Sequence, residues 1–165
     1  MNRLLEFYTD GAWSSKSEMG GWAAICVEDG DIIDTQSGKE PYSTNNRMEL
    51  TAFLSALENI DTIVSHHVDI TIYVDSAYIY NCFAENWYQR WMQNGWRTAD
   101  RQEVKNQDLW RRIIALYIKL KGKFFRFEIS KVKSHGKTNL TDDEKWNNYV
   151  DLLAQKNRKR LEVLD

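Results

Sequence analysis

Proline is almost absent: Pro41 stands alone in 165 residues. No Pro- or Gly-rich linker, low-complexity segment or internal repeat interrupts the chain. A chain of this length without an interior linker is expected to form one domain, residues 1–165, with a sizeable core. Cysteine is equally scarce. Cys26 and Cys82 lie among apolar neighbours inside predicted elements, so buried free thiols are expected rather than a disulfide. No Cys/His spacing of the zinc-binding kind occurs. No apolar run approaches the length of a membrane-spanning helix, so no membrane association is expected. The first residues lack the basic-then-apolar pattern of a signal peptide, and a cytoplasmic location is expected.

Net charge is also small, at −2, but it is unevenly spread. Between Trp87 and Lys121 stand Arg90, Arg97, Arg101, Lys105, Arg111, Arg112, Lys119 and Lys121, against Asp100, Glu103 and Asp108 only. That balance of +5 leaves −7 on the rest of the chain. A basic block on an acidic body is a footprint for a polyanion, although a solvated helical face would have the same composition. Four of the seven tryptophans fall in this block: Trp87, Trp91, Trp96 and Trp110. Interleaved with arginines, they suit a platform for a nucleic-acid backbone and its sugars. Trp110 also suits core packing, whereas Trp96 sits in a polar stretch.

Periodicity predicts the elements. Leu4–Gly11 alternates and is aromatic-rich, which predicts a strand stopped by the glycine, with Asp10 at its carboxyl end. Strands at 22–27 and 31–37 follow, joined by the Asp29-Gly30 turn. Thr44 or Asn45 caps a helix over 47–59, whose core stripe is Met48, Ala52, Phe53, Ala56 and Leu57. Glu49 borders that stripe. Val68–Val74 is the clearest strand; Asp75-Ser76 end it and open another helix. Further helices are predicted to end at Asn94-Gly95 and to run over 105–121 up to Gly122. A strand at 124–131, a polar loop from 133 to 145 and a helix over 146–158 complete the chain. A meander followed by alternation predicts a mixed α/β fold, with helices on both faces of the sheet.

Four carboxylates then fall at comparable places. Asp10 and Asp75 end strands expected to be neighbours, and Glu49 and Asp151 can reach them from helices. Such a cluster repels itself unless cations lie within it. Oxygen-only donors select Mg²⁺ or Mn²⁺ over zinc. A pair of such ions suits phosphodiester hydrolysis. Each acid also has a bland reading, as a turn former, a helix cap or a surface ion-pair partner.

Several blocks resemble type 1 ribonuclease H, in order and over nearly the whole chain. They are Tyr8-Thr9-Asp10-Gly11, Thr44-Asn45-Asn46-Arg47-Met48-Glu49-Leu50 and Val74-Asp75-Ser76-Ala77-Tyr78. Gly95-Trp96-Arg97-Thr98-Ala99-Asp100 is similar to that family's basic protrusion, here about 87–110. Lys133-Ser134-His135-Gly136 and Trp146–Ala154 are similar to its last blocks. The resemblance implies a ribonuclease H-like fold: a five-stranded mixed sheet flanked by helices on both faces, with a basic helical protrusion. It implies an endoribonuclease that cuts the RNA strand of an RNA–DNA hybrid with two metal ions, Mg²⁺ with Mn²⁺ as an alternative, leaving 5′-phosphate and 3′-hydroxyl ends. Asp10, Glu49, Asp75 and Asp151 match the metal-binding acids. His135 matches a loop histidine that helps move a proton or release product. Gly11, Thr44, Asn45, Asn46, Ser76, Trp87, Trp91, Trp96 and Arg97 match substrate-binding positions, and a monomer is expected. Departures are the segment Ala12–Met19, where many members have a Gly/Pro-rich loop, with Ala77 and Asn148. Another nuclease of the same fold, a hybrid-binding module without catalysis, and a basic RNA-binding domain remain as alternatives.

Overall fold

The computed structural model describes residues 2–132 and 141–164, with side chains through residue 159. Its elements are β1 (Arg3–Trp13), β2 (Gly20–Glu28), β3 (Asp31–Glu40), α1 (Asn45–Asp61), β4 (Val68–Val74), α2 (Ala77–Ala84), α3 (Trp87–Asn94), α4 (Gln107–Lys123), β5 (Phe127–Lys131) and α5 (Asp142–Leu164). The order matches the sequence expectation. The strands form one sheet in the order β3-β2-β1-β4-β5. The β1–β2 and β2–β3 pairs are antiparallel, while β1–β4 and β4–β5 are parallel. The fold is therefore mixed α/β, and helices cover both faces.

Alternation divides the sheet between two cores. Leu5 and Phe7 of β1 join Ile70, Ile72 and Val74 of β4 under α1 and α4. Tyr8, Ala23 and Ile25 face the other way, against Val150 and Ala154 of α5. Met48, Ala52, Phe53, Ala56 and Leu57 of α1 are all buried, as the helical spacing predicts. Thr44 caps α1, its hydroxyl oxygen accepting from the Arg47 amide at 3.2 Å.

Several boundaries depart from expectation: β3 runs on to Glu40, β5 starts at Phe127 rather than at 124, α5 runs on to Leu164, and three others bear on the site or the packing. β1 does not stop at Gly11. It loses β4 after the pair Thr9↔Val74 but stays paired with β2 as far as Trp13↔Gly20. The second partner strand keeps β1 extended where a turn was expected. Gly122 does not end α4, which runs on to Lys123; a methyl there would meet only open space. The helix ends instead where Phe124 turns extended and buries its ring. Finally, α5 begins at Asp142, inside the expected loop. Asp142, Asp143 and Glu144 in its first turn complement the helix dipole.

Candidate active site

Register brings the first two acids together. The parallel β1–β4 ladder closes at Thr9↔Val74, so Asp10 and Asp75 are the next residues on adjacent strands. Ser76 caps α2, accepting from the Ile79 amide at 3.2 Å. The N-cap of α2 is thus Ser76, and Asp75 precedes it.

Glu49 comes from the helix layer on the opposite side of the sheet from α5. Its approach depends on Gly11, where a methyl would run into the backbone of Met48 and Glu49. The first turn of α1 thus sits directly on β1. The Gly11 amide donates to Asp10 Oδ1 at 2.9 Å and also helps hold Glu49. From the other face, α5 brings Asp151 within hydrogen-bonding reach of Asp10. A glycine supports this second approach, since a methyl at Gly21 would enter the backbone of Ala154 and Arg158.

The four acids act on one another. Asp10 is 4% exposed and Glu49 7% exposed. Burial holds the Asp10 carboxyl far above the usual carboxylate range, and the charges of Glu49 and Asp151 add to the rise. Burial raises Glu49 too, with Asp75 and Asp151 adding, while hydrogen bonds from Asp10 and Gly11 oppose the shift. Ion pairs between described residues include those of Glu28, Glu40, Glu58, Asp61, Asp108 and Asp142. Among the described residues no three acids, histidines or cysteines are already spaced as a cation cage. In this arrangement Asp10 and Glu49 lie within hydrogen-bonding reach of each other. The all-oxygen donor set nevertheless fits a hard divalent cation, whose charge would offset the burial and repulsion that raise Asp10 and Glu49.

Beside this rim lies a cavity of about 640 Å³ lined by Asn46, Trp87, Trp91, Arg97 and Lys105, among others. It lies between α3 and the loop leading to α4. The start of α1 thereby joins the basic block.

The ribonuclease H family model matches residues 2–159. The chain belongs to the ribonuclease H family. It is 39% identical over 155 residues to a ribonuclease H of Chlorobium luteolum, covering 94% of this chain and 95% of that one. It is 37% identical over 162 residues to a ribonuclease H of Acetivibrio thermocellus, covering 96% and 99%. Among solved structures, the ribonuclease H domain of PFV, a foamy virus, superposes with a TM-score of 0.77 at 21% identity, covering 96% of each chain. LC11-RNase H1, solved in complex with an RNA/DNA hybrid, superposes with a TM-score of 0.65 at 16% identity over 95% and 98%.

In this ribonuclease H chain, then, a hydrolytic nuclease, the expected acids Asp10, Glu49, Asp75 and Asp151 gather at one rim. His135 lies outside the described residues. Thr44, Asn45 and Asn46 are exposed at the start of α1, and Ser76 is half-buried at the start of α2. Trp87 is half-buried and Arg97 exposed. Trp91 and Trp96 are 7% and 8% exposed, so both rings are buried, Trp96 in spite of its polar stretch of sequence. Trp96 backs onto Trp91, with the Arg111 guanidinium over its ring at 4.5 Å. Trp91 crosses Trp110 edge-on at 5.3 Å. Trp87 and Trp91 line the cavity, while Trp96 and Trp110 pack against Trp91 behind it.

Two supports were not legible in the sequence. Arg47 forks onto Asp108 at 3.0 and 3.2 Å and also reaches Asn106, tying the first turn of α1 to the start of α4. Tyr8 donates to Asp143 at 2.6 Å and Tyr73 to Glu6 at 3.0 Å, with their rings stacked 4.7 Å apart. The parity of Glu6, Tyr8 and Asp10 in β1 was the available signal for the second; the Arg47 clamp had none.

Among the described residues, no helix is long and apolar enough to cross a membrane.

Proposed function

We propose that this chain is an endoribonuclease that hydrolyses the RNA strand of RNA–DNA hybrids, leaving 5′-phosphate and 3′-hydroxyl ends. The observation that carries the reading is that Asp10 and Glu49 are buried within reach of each other, with Asp151 close to Asp10 and Asp75 close to Glu49. Burying like charges is costly, and a binding module gains nothing from placing them where phosphates arrive. Divalent cations, two with substrate bound and Mg²⁺ before Mn²⁺, supply the positive charge that activates water and offsets charge on the leaving oxygen. Asp10, Glu49, Asp75 and Asp151 would hold those cations, whose charge would offset the repulsion between the buried carboxylates.

Thr44, Asn45, Asn46, Ser76 and the Gly11 backbone contact the hybrid. Their small polar groups suit a shallow groove edged with 2′-hydroxyls, which distinguish RNA from DNA. Trp87, Trp91, Trp96 and Arg97 form or support the wall along the DNA strand. Arg97 lends charge there, while the two buried tryptophans stiffen the wall from behind. His135 moves a proton or releases product, a role supported by the sequence block alone. We take residues 1–165 to work as one catalytic domain, as a monomer in the cytoplasm.

The test is a labelled RNA–DNA hybrid incubated with and without Mg²⁺, alongside double-stranded RNA and DNA. Cleavage confined to the RNA of the hybrid and dependent on metal is expected. Asp75→Asn should keep the fold by circular dichroism while losing at least about a hundredfold in rate. Cleavage of duplex DNA, or full activity of that variant, would refute the assignment.

A further inference from the structure

Among the described residues, seven other than glycine have left-handed backbone conformations, and two of them are aromatic: Tyr42 (φ 53°) and Trp96 (φ 64°). A large side chain in that region costs energy that something else must offset. For Trp96 the offset is visible. Its amide donates to the Trp91 carbonyl at 2.8 Å, its ring is buried, and Arg111 covers it. Tyr42 gains nothing comparable, for its side chain is 81% exposed.

The backbone around Tyr42 is nonetheless firmly held. Pro41, the chain's single proline, precedes it. Ser43 is buried, and its amide donates to the Glu18 carbonyl at 2.9 Å. Thr44 caps α1. Arg47 reaches back to Glu40 at 3.4 Å. A strained loop fixed on both sides, presenting one aromatic ring to water, is the kind of outlier from which function can be inferred. Two residues span at most about 7 Å, so Tyr42 stands close to Thr44, which opens the exposed Thr44-Asn45-Asn46 run.

We propose that Tyr42 is a substrate-contacting residue whose ring packs against the sugars of the hybrid where it passes the start of α1. This rests on the hybrid-binding reading above. It adds an aromatic contact on the side of α1 facing the loop at 14–19, separate from the tryptophan wall near α3. The contact depends on apolar packing, and the hydroxyl group is not required.

The experiment measures binding of a fluorescein-labelled RNA–DNA hybrid by anisotropy in EDTA over a range of salt concentrations. Tyr42→Gly is expected to weaken binding about five- to tenfold, the loss typical of one aromatic platform residue. Its melting temperature should equal or exceed that of the wild type, since glycine accepts the left-handed conformation. Tyr42→Asn, which also tolerates that conformation, serves as the second variant and should bind as weakly. Tyr42→Phe should recover the wild-type Kd. Plots of log Kd against log salt should run parallel, because no phosphate contact is lost. In turnover, KM should rise while kcat holds. A Kd within twofold of the wild type for both Tyr42→Gly and Tyr42→Asn overturns the proposal, as does a changed salt slope. If the wild type leaves the hybrid uncut, the functional reading falls. If it cuts the hybrid and the variants bind normally, only the role of Tyr42 falls.

Discussion

Replacing Asp10 with asparagine removes one of two acids that share a buried rim, and the predicted consequence is a more stable protein when no divalent cation is present. Asp10 and Glu49 are both less than a tenth exposed and lie within hydrogen-bonding reach of each other. Two unit charges about 4 Å apart repel by roughly 4 kcal/mol at an effective dielectric constant of about 20. The protons held by the raised carboxyls already relieve part of this. About 2 kcal/mol is then expected as added stability at pH 8, or about 4–8 °C in melting temperature for a chain of this size. The sign with pH follows from the shifts. Both folded-state carboxyls are raised, so above roughly pH 4 the native state binds more protons than the unfolded chain. Their contribution is fully present below that pH and is lost as pH rises through the raised native values. The advantage of the variant should therefore grow from pH 5 to pH 8. Mg²⁺ should raise the melting temperature of the wild type and leave Asp10→Asn much less affected. Thermal unfolding followed by circular dichroism, in EDTA and in Mg²⁺, measures both effects. A lower melting temperature for the variant in EDTA at pH 8, or equal stabilisation of both proteins by Mg²⁺, would refute the account of the cluster.

Gly11→Ala should destabilise by about 3 kcal/mol, because the added methyl overpacks the contact between β1 and the first turn of α1. Urea unfolding measures the cost, and hybrid cleavage should fall more steeply than stability because Glu49 moves with that turn. Arg47→Lys keeps the charge but loses the fork onto Asp108. With Asp108 well exposed, the expected cost is only about 0.5–1 kcal/mol, read as a shift in the urea midpoint at unchanged slope.

Much of the fold was legible because the elements carry clean periods. Val68–Val74 alternates buried and half-buried residues along its whole length, and its limits match those read from the sequence. The α1 stripe was visible at helical spacing for the same reason. The failures cluster where a local signal competes with a tertiary partner. Gly11 reads as a strand terminator, yet β2 holds β1 extended beyond it. Gly122 reads as a helix stop, yet α4 carries it on its solvent side and ends on the burial of Phe124. Trp96 reads as exposed because its chain neighbours are polar, yet Trp91 and Arg111 enclose it.

The sequence by itself singled out the side chains proposed to carry the chemistry. Four acids, a basic block rich in tryptophan and the Thr44–Leu50 block are facts of composition and order, and they pointed to a metal-assisted attack on a polyanion. Only the tertiary structure decided that the acids meet. That convergence requires a parallel register between strands separated by more than sixty residues, and a glycine that lets a helix rest on a strand. The burial that raises Asp10 and Glu49 likewise exists only once α1 and α5 close over the two faces of the sheet. Distance and desolvation are properties of the packed chain, and no run of neighbouring residues encodes them.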